Sequence, residues 1–433
     1  MEIFHTAEVL SRDEIADVQA RRLARTVKRA AGSPFYKAKL AEAGVDPESI
    51  TSLEDVSRLP LTTKDDLRES YPFGMLAEEH RELVRLHASS GTTGSPTVVY
   101  HTDNDLRTWA DLMARCMHMA GVRKDDVFQN MAGYGLFTGG LGIHYGAERL
   151  GCLTIPAGAG NTARQLKLIR DFNVTVLHII PSYALYLAGV VAEQGLNPRE
   201  LPPRIALIGA EPHSEEARRR IEEMLGLKAY NSYGLSEMNG PGVAFECEHQ
   251  DGMHLWEDSY IAEIIDPVTL EPAAEGEVGE LVMTTLTREA MPLLRYRTRD
   301  LTRFIPGQCA CGRTHRRIDR IAGRADDMLI IKGVNIYPMQ IEQVLLAVPE
   351  VAQNYQIVLE REGFIDQLTV RAEIKEEFFV EDMRALGSIQ KRIAGLLRNE
   401  LLVTPRVELV EAKSLPTSEG KASRVVDMRD KRS

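Results

Sequence analysis

Between Asp126 and Asn231, short apolar runs rich in β-branched residues alternate with amphipathic stretches of helical length. Asp126–Asn130, Val174–Ile180 and Ile205–Ile208 read as strands, and Ala229–Asn231 is strand-like. Asn161–Asp171, Ser182–Gln194 and Ser214–Leu225 read as helices between them. Parallel strands need a crossover, usually a helix, so this order predicts an α/β fold built on helix-covered, mostly parallel sheets. In such sheets ligands bind beyond the carboxyl ends of the strands. The segments to watch are therefore 131–142, 181–183, 209–214 and 231–240.

The flanking regions follow other patterns. Residues 1–85 are mainly helical, with Ile15, Val18, Leu23 and Val27 at helical spacing between arginines. From His254 to Arg303 the chain turns to strand-rich hairpins. A composition break near Gly323–Asp327 precedes a small α+β unit, which divides the chain into domains at 1–325 and 326–433. A chain of 433 residues can bury a core of that extent. The net charge of −11 argues against general nucleic-acid or anionic-membrane binding. The N-terminus carries neither a basic nor an apolar leader region. Val174–Val191, the most apolar stretch, is interrupted by His178, Pro181 and Ser182, so no membrane span and a cytoplasmic protein are expected.

Leu83–Leu86 and Thr97–Val99 read as two strands joined by Ser89-Ser90-Gly91-Thr92-Thr93-Gly94-Ser95-Pro96. The joining segment is either a hairpin turn or a cradle whose hydroxyl and N–H donors suit a polyphosphate. It is not the phosphate loop of nucleotidases, since that lysine motif is missing and a strand follows. Asp300 next to Arg297 and Arg299 reads equally as a local ion pair, Glu237 as a solvated loop charge, and Lys421 as a tail lysine.

Taken in order, further segments accompany this loop: Gly209-Ala210-Glu211-Pro212, Tyr233-Gly234-Leu235-Ser236-Glu237, Tyr296-Arg297-Thr298-Arg299-Asp300, Gly323-Arg324-Ala325-Asp326-Asp327 and Pro416-Thr417-Ser418-Glu419-Gly420-Lys421. Together they resemble the adenylate-forming enzymes. Tyr134-Gly135-Leu136-Phe137-Thr138-Gly139-Gly140, Gly240-Pro241-Gly242-Val243 and His254-Leu255-Trp256-Glu257-Asp258 narrow the resemblance to the phenylacetate–CoA ligases, over nearly the whole chain.

The resemblance implies a large adenylating domain, a small mobile domain carrying a catalytic lysine, and formation of an aryl-acyl-CoA from acid, ATP and CoA. Ser90, Gly91, Thr92, Thr93 and Gly94 would hold the β- and γ-phosphates. Tyr233 would lie against adenine with Glu211 and Pro212 opposite and Asn231 near its amine, and Gly234 and Ser236 belong to the same nucleotide site. Asp300 would accept the ribose hydroxyls, Glu237 would hold Mg²⁺, and Arg324 would contact phosphate or ribose. Lys421 would bridge acid and α-phosphate, and Asp326 would be the hinge. Tyr134, Phe137, Tyr183, Gly209 and Ala210 would form a pocket for a flat aromatic acid, phenylacetate first and benzoate or indoleacetate types next. Loading of a carrier protein, or a regulatory protein without turnover, are the other readings. A homodimer is implied as well. The chain departs from the family at Ser95, where a lysine is usual.

The cysteines add a separate expectation. Cys309-Ala310-Cys311 and Cys247 with His254, or His249 in its place, have the composition of a closed structural zinc site. The alternative is three packed thiols.

Overall fold

The computed structural model describes residues 2–88, 96–331, 334–362, 365–378, 383–416 and 424–429. Ser90, Gly91, Thr92, Thr93, Gly94, Ser95 and Lys421 lie outside the described residues. The chain falls into two compact units, the first formed by Met1–Ile179, Pro202–Ala210 and Tyr230–Ile321, the second by Ile180–Leu201, Glu211–Ala229 and Ala322–Ser433.

The first unit is organised by a sheet with nine strands among the described residues. Leu153–Ile155, Val127–Asn130, Val176–Ile179 and Ile205–Gly209 run parallel. Residues of the three inner strands are almost all buried, as expected of parallel strands covered on both faces, whereas Leu153–Ile155 at the edge is not. Beyond Lys228–Leu235 the pairing turns antiparallel through Gly240–Glu246, Met253–Leu255, Arg317–Ile318 and Phe304–Ile305. Short links make that change possible, since only antiparallel neighbours can be joined by a tight turn. The strand-rich region expected from His254 thus begins earlier, at Gly240, a start that the sequence Gly240-Pro241-Gly242 hides. Tyr260–Ile265, Gly279–Thr285 and Tyr296–Thr302 form a second antiparallel set. Leu83–Ala88 pairs with Val98–Thr102, Leu86 facing Tyr100.

The helix Arg12–Ala30 starts at Ser11, whose side chain accepts from Glu14 N, and buries Ile15, Leu23 and Val27. It is fastened by Arg12, which forks Glu257 at 2.6 and 2.8 Å, and by Gln19, which donates to Tyr260 O. Ahead of it, Arg313 pairs with the buried Glu8 at 2.7 Å, and the Nε2 of His315 lies 2.7 Å from Ala7 O.

The segment Tyr134–Gly140, expected to be a loop, runs into a helix, Thr138–Leu150. Each glycine in a helix costs about 1 kcal/mol of intrinsic propensity, which is why the sequence conceals it. Packing explains the exception. A Cβ on Gly142 would sit 2.2 Å from Trp109 Cζ2, and one on Gly146 would sit 2.3 Å from Met113 Cβ. The helix lies against Asp103–Met119 closely enough that only glycine fits at those two positions.

In the second unit, Arg406–Val410, Ile365–Ile374, Val351–Glu362 and Val425–Asp427 form one sheet in that order. Its core gathers Ile357, Leu359, Val370 and Ile374 with Ile341 and Leu345 of helix Pro338–Leu346, and Ile393 and Leu397 of helix Met383–Leu401. Helix Glu215–Leu225 belongs to the same unit. Its cap residue Ser214 donates its backbone N–H to Glu342, which also accepts from Tyr355 Oη at 2.7 Å. Among the described residues no helix is long and apolar enough to cross a membrane.

Candidate active site

Two of the expected nucleotide contacts meet directly in the first unit. Tyr233 donates its phenolic proton to Asp300 Oδ2 at 2.7 Å, and both are buried. Each stands at a break in a β-ladder. Opposite Tyr233 and Gly234, the register on Gly240–Glu246 jumps from Ala244 to Pro241. Opposite Glu280 and Val282, it jumps from Leu301 to Arg297. Extra residues at such breaks bend the strand and re-aim its side chains, a device common beside active sites. Arg299 reaches a left-handed conformation there, φ 67°. Thr298 Oγ1 donates to Leu281 O and accepts from Asp300 N, standing in for missing ladder bonds. Arg297 forks Glu280 at 3.1 and 2.6 Å, and Arg299 lies 3.6 Å from the same carboxylate. The charge that holds these two arginines at the bulge is therefore Glu280.

The other first-unit positions lie in or just after the strands Lys228–Leu235 and Ile205–Gly209, or ahead of the helix Thr138–Leu150. Asn231 donates its backbone N–H to Glu246 at 2.7 Å. Ser236 Oγ lies 3.1 Å from Thr138 Oγ1, joining the Tyr233 segment to the start of the helix Thr138–Leu150. Glu237 is buried, and its backbone carbonyl accepts from the fully buried Arg288. Gly209 ends its strand so close to the next that a Cβ would fall 2.4 Å from Ser232 O. Ala210 follows with φ 71°, a costly conformation for alanine. Phe137 is exposed, and Tyr134 is half-exposed.

In the second unit, Glu211 accepts the backbone N–H of Ser182 at 2.5 Å, capping the first turn of helix Pro181–Glu193. Pro212 follows it in the chain. Tyr183 is buried in that helix, its ring stacked on Tyr186 at 6.1 Å. Arg324 forks Asp326 at 2.9 and 3.0 Å.

The Cys/His expectation meets a compact arrangement. Ligand atoms of Cys247, His254, Cys309 and Cys311 all lie within 4.8 Å of one another, and all four residues are buried. The Cys247 and Cys309 sulfurs are 3.7 Å apart, and Cys311 Sγ is 3.4 Å from His254 Nε2. Tetrahedral zinc with Zn–S near 2.3 Å and Zn–N near 2.0 Å implies about 3.8 Å and about 3.5 Å for those separations. His249 is exposed and stands outside the group. Cys116 and Cys152 are buried free thiols, and Cys116 Sγ accepts from Trp256 Nε1.

Sequence reading missed Asn130 and His144, which meet the Tyr134 hydroxyl, and His178, which stands behind Asn130. Asn130 Nδ2 donates to it at 2.9 Å, His144 Nδ1 lies 3.1 Å away, and His178 Nδ1 is 2.8 Å from Asn130 Oδ1. Asn130 closes a parallel strand just before segment 131–142, so the strand-end rule pointed beside it. His144 sits in the concealed helix.

Comparisons with known proteins agree with this construction. The AMP-binding enzyme family matches residues 15–287, and the AMP-binding enzyme C-terminal domain matches 333–429. A phenylacetate-coenzyme A ligase of Thermus thermophilus is 48% identical, covering 98% of each chain. The enzyme of the same name from Pseudomonas putida is 48% identical over 98% of this chain and 96% of its own. Among solved structures, 2-hydroxyisobutyryl-CoA ligase in the postadenylation state, bound to an acyl-AMP, superposes with a TM-score of 0.91 at 32% identity. That match covers 97% of this chain and 91% of the other. By descent and by fold, this chain belongs to the adenylate-forming AMP-binding enzymes, within the phenylacetate–coenzyme A ligase family.

Proposed function

We propose that the chain joins phenylacetate to coenzyme A in two steps. A carboxylate oxygen of the acid attacks the α-phosphorus of ATP and diphosphate leaves. The sulfur of CoA then attacks the acyl carbon of the adenylate and AMP leaves. The carrying observation is 48% identity over 98% of the chain with ligases of that name. No protein nucleophile is required, so catalysis reduces to positioning and charge stabilisation.

Within that reading the paired Tyr233 and Asp300 serve the nucleoside, with Asp300 accepting ribose hydroxyls and Tyr233 against the base. Asn231, Gly234, Ser236, Glu211 and Pro212 complete the adenine side, Ser90–Gly94 take the terminal phosphates, and Arg324 contacts phosphate or ribose. Lys421 bridges acid and α-phosphate, and Asp326 is the hinge between domains 1–325 and 326–433. Glu237 is a buried carboxylate and so an oxygen donor of the kind Mg²⁺ takes, together with phosphate oxygens. The ion would offset triphosphate charge. The acid lies among Tyr134, Phe137, Tyr183, Gly209 and Ala210. Cys247, His254, Cys309 and Cys311 hold a structural zinc ion, supported by the tetrahedral spacing and by four protein donors that leave no open position. A homodimer is the expected assembly.

The similarity to 2-hydroxyisobutyryl-CoA ligase favours one competing substrate class, a small branched hydroxy acid. Diphosphate release, measured with a panel of acids and with or without CoA, separates the readings. Phenylacetate is expected to give the fastest release, and a CoA thioester only when CoA is present. Lys421→Ala is expected to lose adenylation by about a hundredfold with the fold intact. Faster release with 2-hydroxyisobutyrate, or none with any aryl acid, rejects the assignment.

A further inference from the structure

The Tyr134 hydroxyl lies within a hydrogen-bonded chain that runs from His178 to Glu148. It begins at His178, buried beneath the strand ends. A carbonyl oxygen only accepts, so His178 Nδ1 donates to Asn130 Oδ1 at 2.8 Å, and Ala132 N donates to the same oxygen at 3.2 Å. The Asn130 amide nitrogen then spends its two protons on Gly140 O at 2.7 Å and on Tyr134 Oη at 2.9 Å. Reversing that amide would set oxygen against oxygen at Gly140 and donor against donor at Ala132, so one orientation alone satisfies the group. The Glu148 carboxylate only accepts, so the His144 Nε2 3.1 Å away carries a proton. In the neutral ring Nδ1 is then the acceptor, and Tyr134 donates to it at 3.1 Å.

The ring also meets the His144 ring edge-on, centroids 5.8 Å apart. Tyr134 is 37% exposed and lies between Gly133 and Gly135, neither of which has heavy atoms within 4 Å of where a Cβ would be. We infer that Asn130 and His144 are positioning residues of the acid site, clamping the Tyr134 hydroxyl so that its ring presents a fixed wall to the aryl acid. The inference rests on the acid site proposed above. His144 acts through Tyr134 and does not itself contact the acid.

Full-length wild type, His144→Ala, His144→Asn, Tyr134→Phe and the double variant Tyr134→Phe/His144→Ala separate the possibilities. His144→Ala loses one such hydrogen bond, about fivefold, expected as a rise in KM for phenylacetate with the KM for ATP unchanged. Tyr134→Phe loses that bond and the one from Asn130, so its rise is expected to be larger, and the double variant is expected to match Tyr134→Phe alone. His144→Asn, which sets an acceptor oxygen near the place of Nδ1, is expected to restore the wild-type value. Equal rises in both KM values, an unchanged acid KM, or singles that multiply in the double variant overturn the clamp. Amide exchange across residues 132–137 of the free protein gives a readout independent of turnover. It is expected to quicken in both single variants, and unchanged exchange overturns the clamp whatever the substrate. A wild type inactive with every aryl acid but with quickened exchange in the variants rejects the proposed function and leaves the clamp standing.

Discussion

The Cys247–His254–Cys309–Cys311 cluster and the Tyr233–Asp300 pair are both buried polar groups of the first unit, but they are finished to different degrees. In the cluster every ligand atom faces another within 4.8 Å, and the set closes on itself. Tyr233 and Asp300 stand where two ladders break register, beside a left-handed Arg299 and close in sequence to the buried Glu237. A closed donor set returns its binding energy to the fold. Polar groups at bulges and strained positions cost stability locally and have their use in what arrives from solution. The first region should therefore govern how firmly the protein stands, and the second how well it binds.

The largest effect should come from the cluster. Cys311→Ser, or metal stripping by a strong chelator, should lower unfolding free energy by about 4 kcal/mol or more, the range metal loss can reach. Denaturant melts alongside metal analysis check this, and the remaining folded enzyme should keep its KM for ATP. A Cys311→Ser protein that melts like wild type while losing ATP affinity would invert the comparison. Next, Asp300→Asn should raise the KM for ATP about a hundredfold, since charge-assisted hydrogen bonds are worth roughly 1.5–3 kcal/mol each. Its denaturant midpoint should stay near wild type, which initial rates and melts together decide.

The third effect is an acid limb in stability. Burial pushes the His178 imidazole down to about 4 from its ordinary 6.5, so it is neutral in the fold. The unfolded chain binds that proton first as pH falls below about 6.5, so stability is complete above that value and is lost on the way down to 4. At one pH unit per 1.36 kcal/mol the loss reaches about 2 kcal/mol by about pH 5. His178→Asn should flatten that limb in pH-dependent denaturation, and an unchanged limb would show that other groups produce it. The smallest effect is expected from Tyr233→Phe, which removes one hydroxyl from Asp300. It should raise the KM for ATP about fivefold, with melting unchanged.

Much of this arrangement was legible in the chain because its cues are local. Parallel strands and crossover helices announced themselves by period, and Ser214 caps the helix expected over Ser214–Leu225. The cysteine pair at 309 and 311 could be matched with Cys247 because few thiols compete. What escaped depends on distant packing. The helix Thr138–Leu150 violates propensity and exists because Trp109 and Met113 lie against it. His144 was invisible for the same reason. That Arg297 serves Glu280 is settled by a register slip between strands, which no local pattern records.

Gly142 and Gly146 carry a consequence for how this enzyme can change. With no room for even a methyl group between the two helices, their separation is already minimal, and new acid preferences cannot be introduced by enlarging residues along that seam. If the proposed acid site holds, selection for bulkier or smaller acids is steered instead toward Gly133 and Gly135, where a Cβ would meet no heavy atom within 4 Å. A mutational library at those two positions should shift acid preference with less loss of stability than one at Gly142 and Gly146.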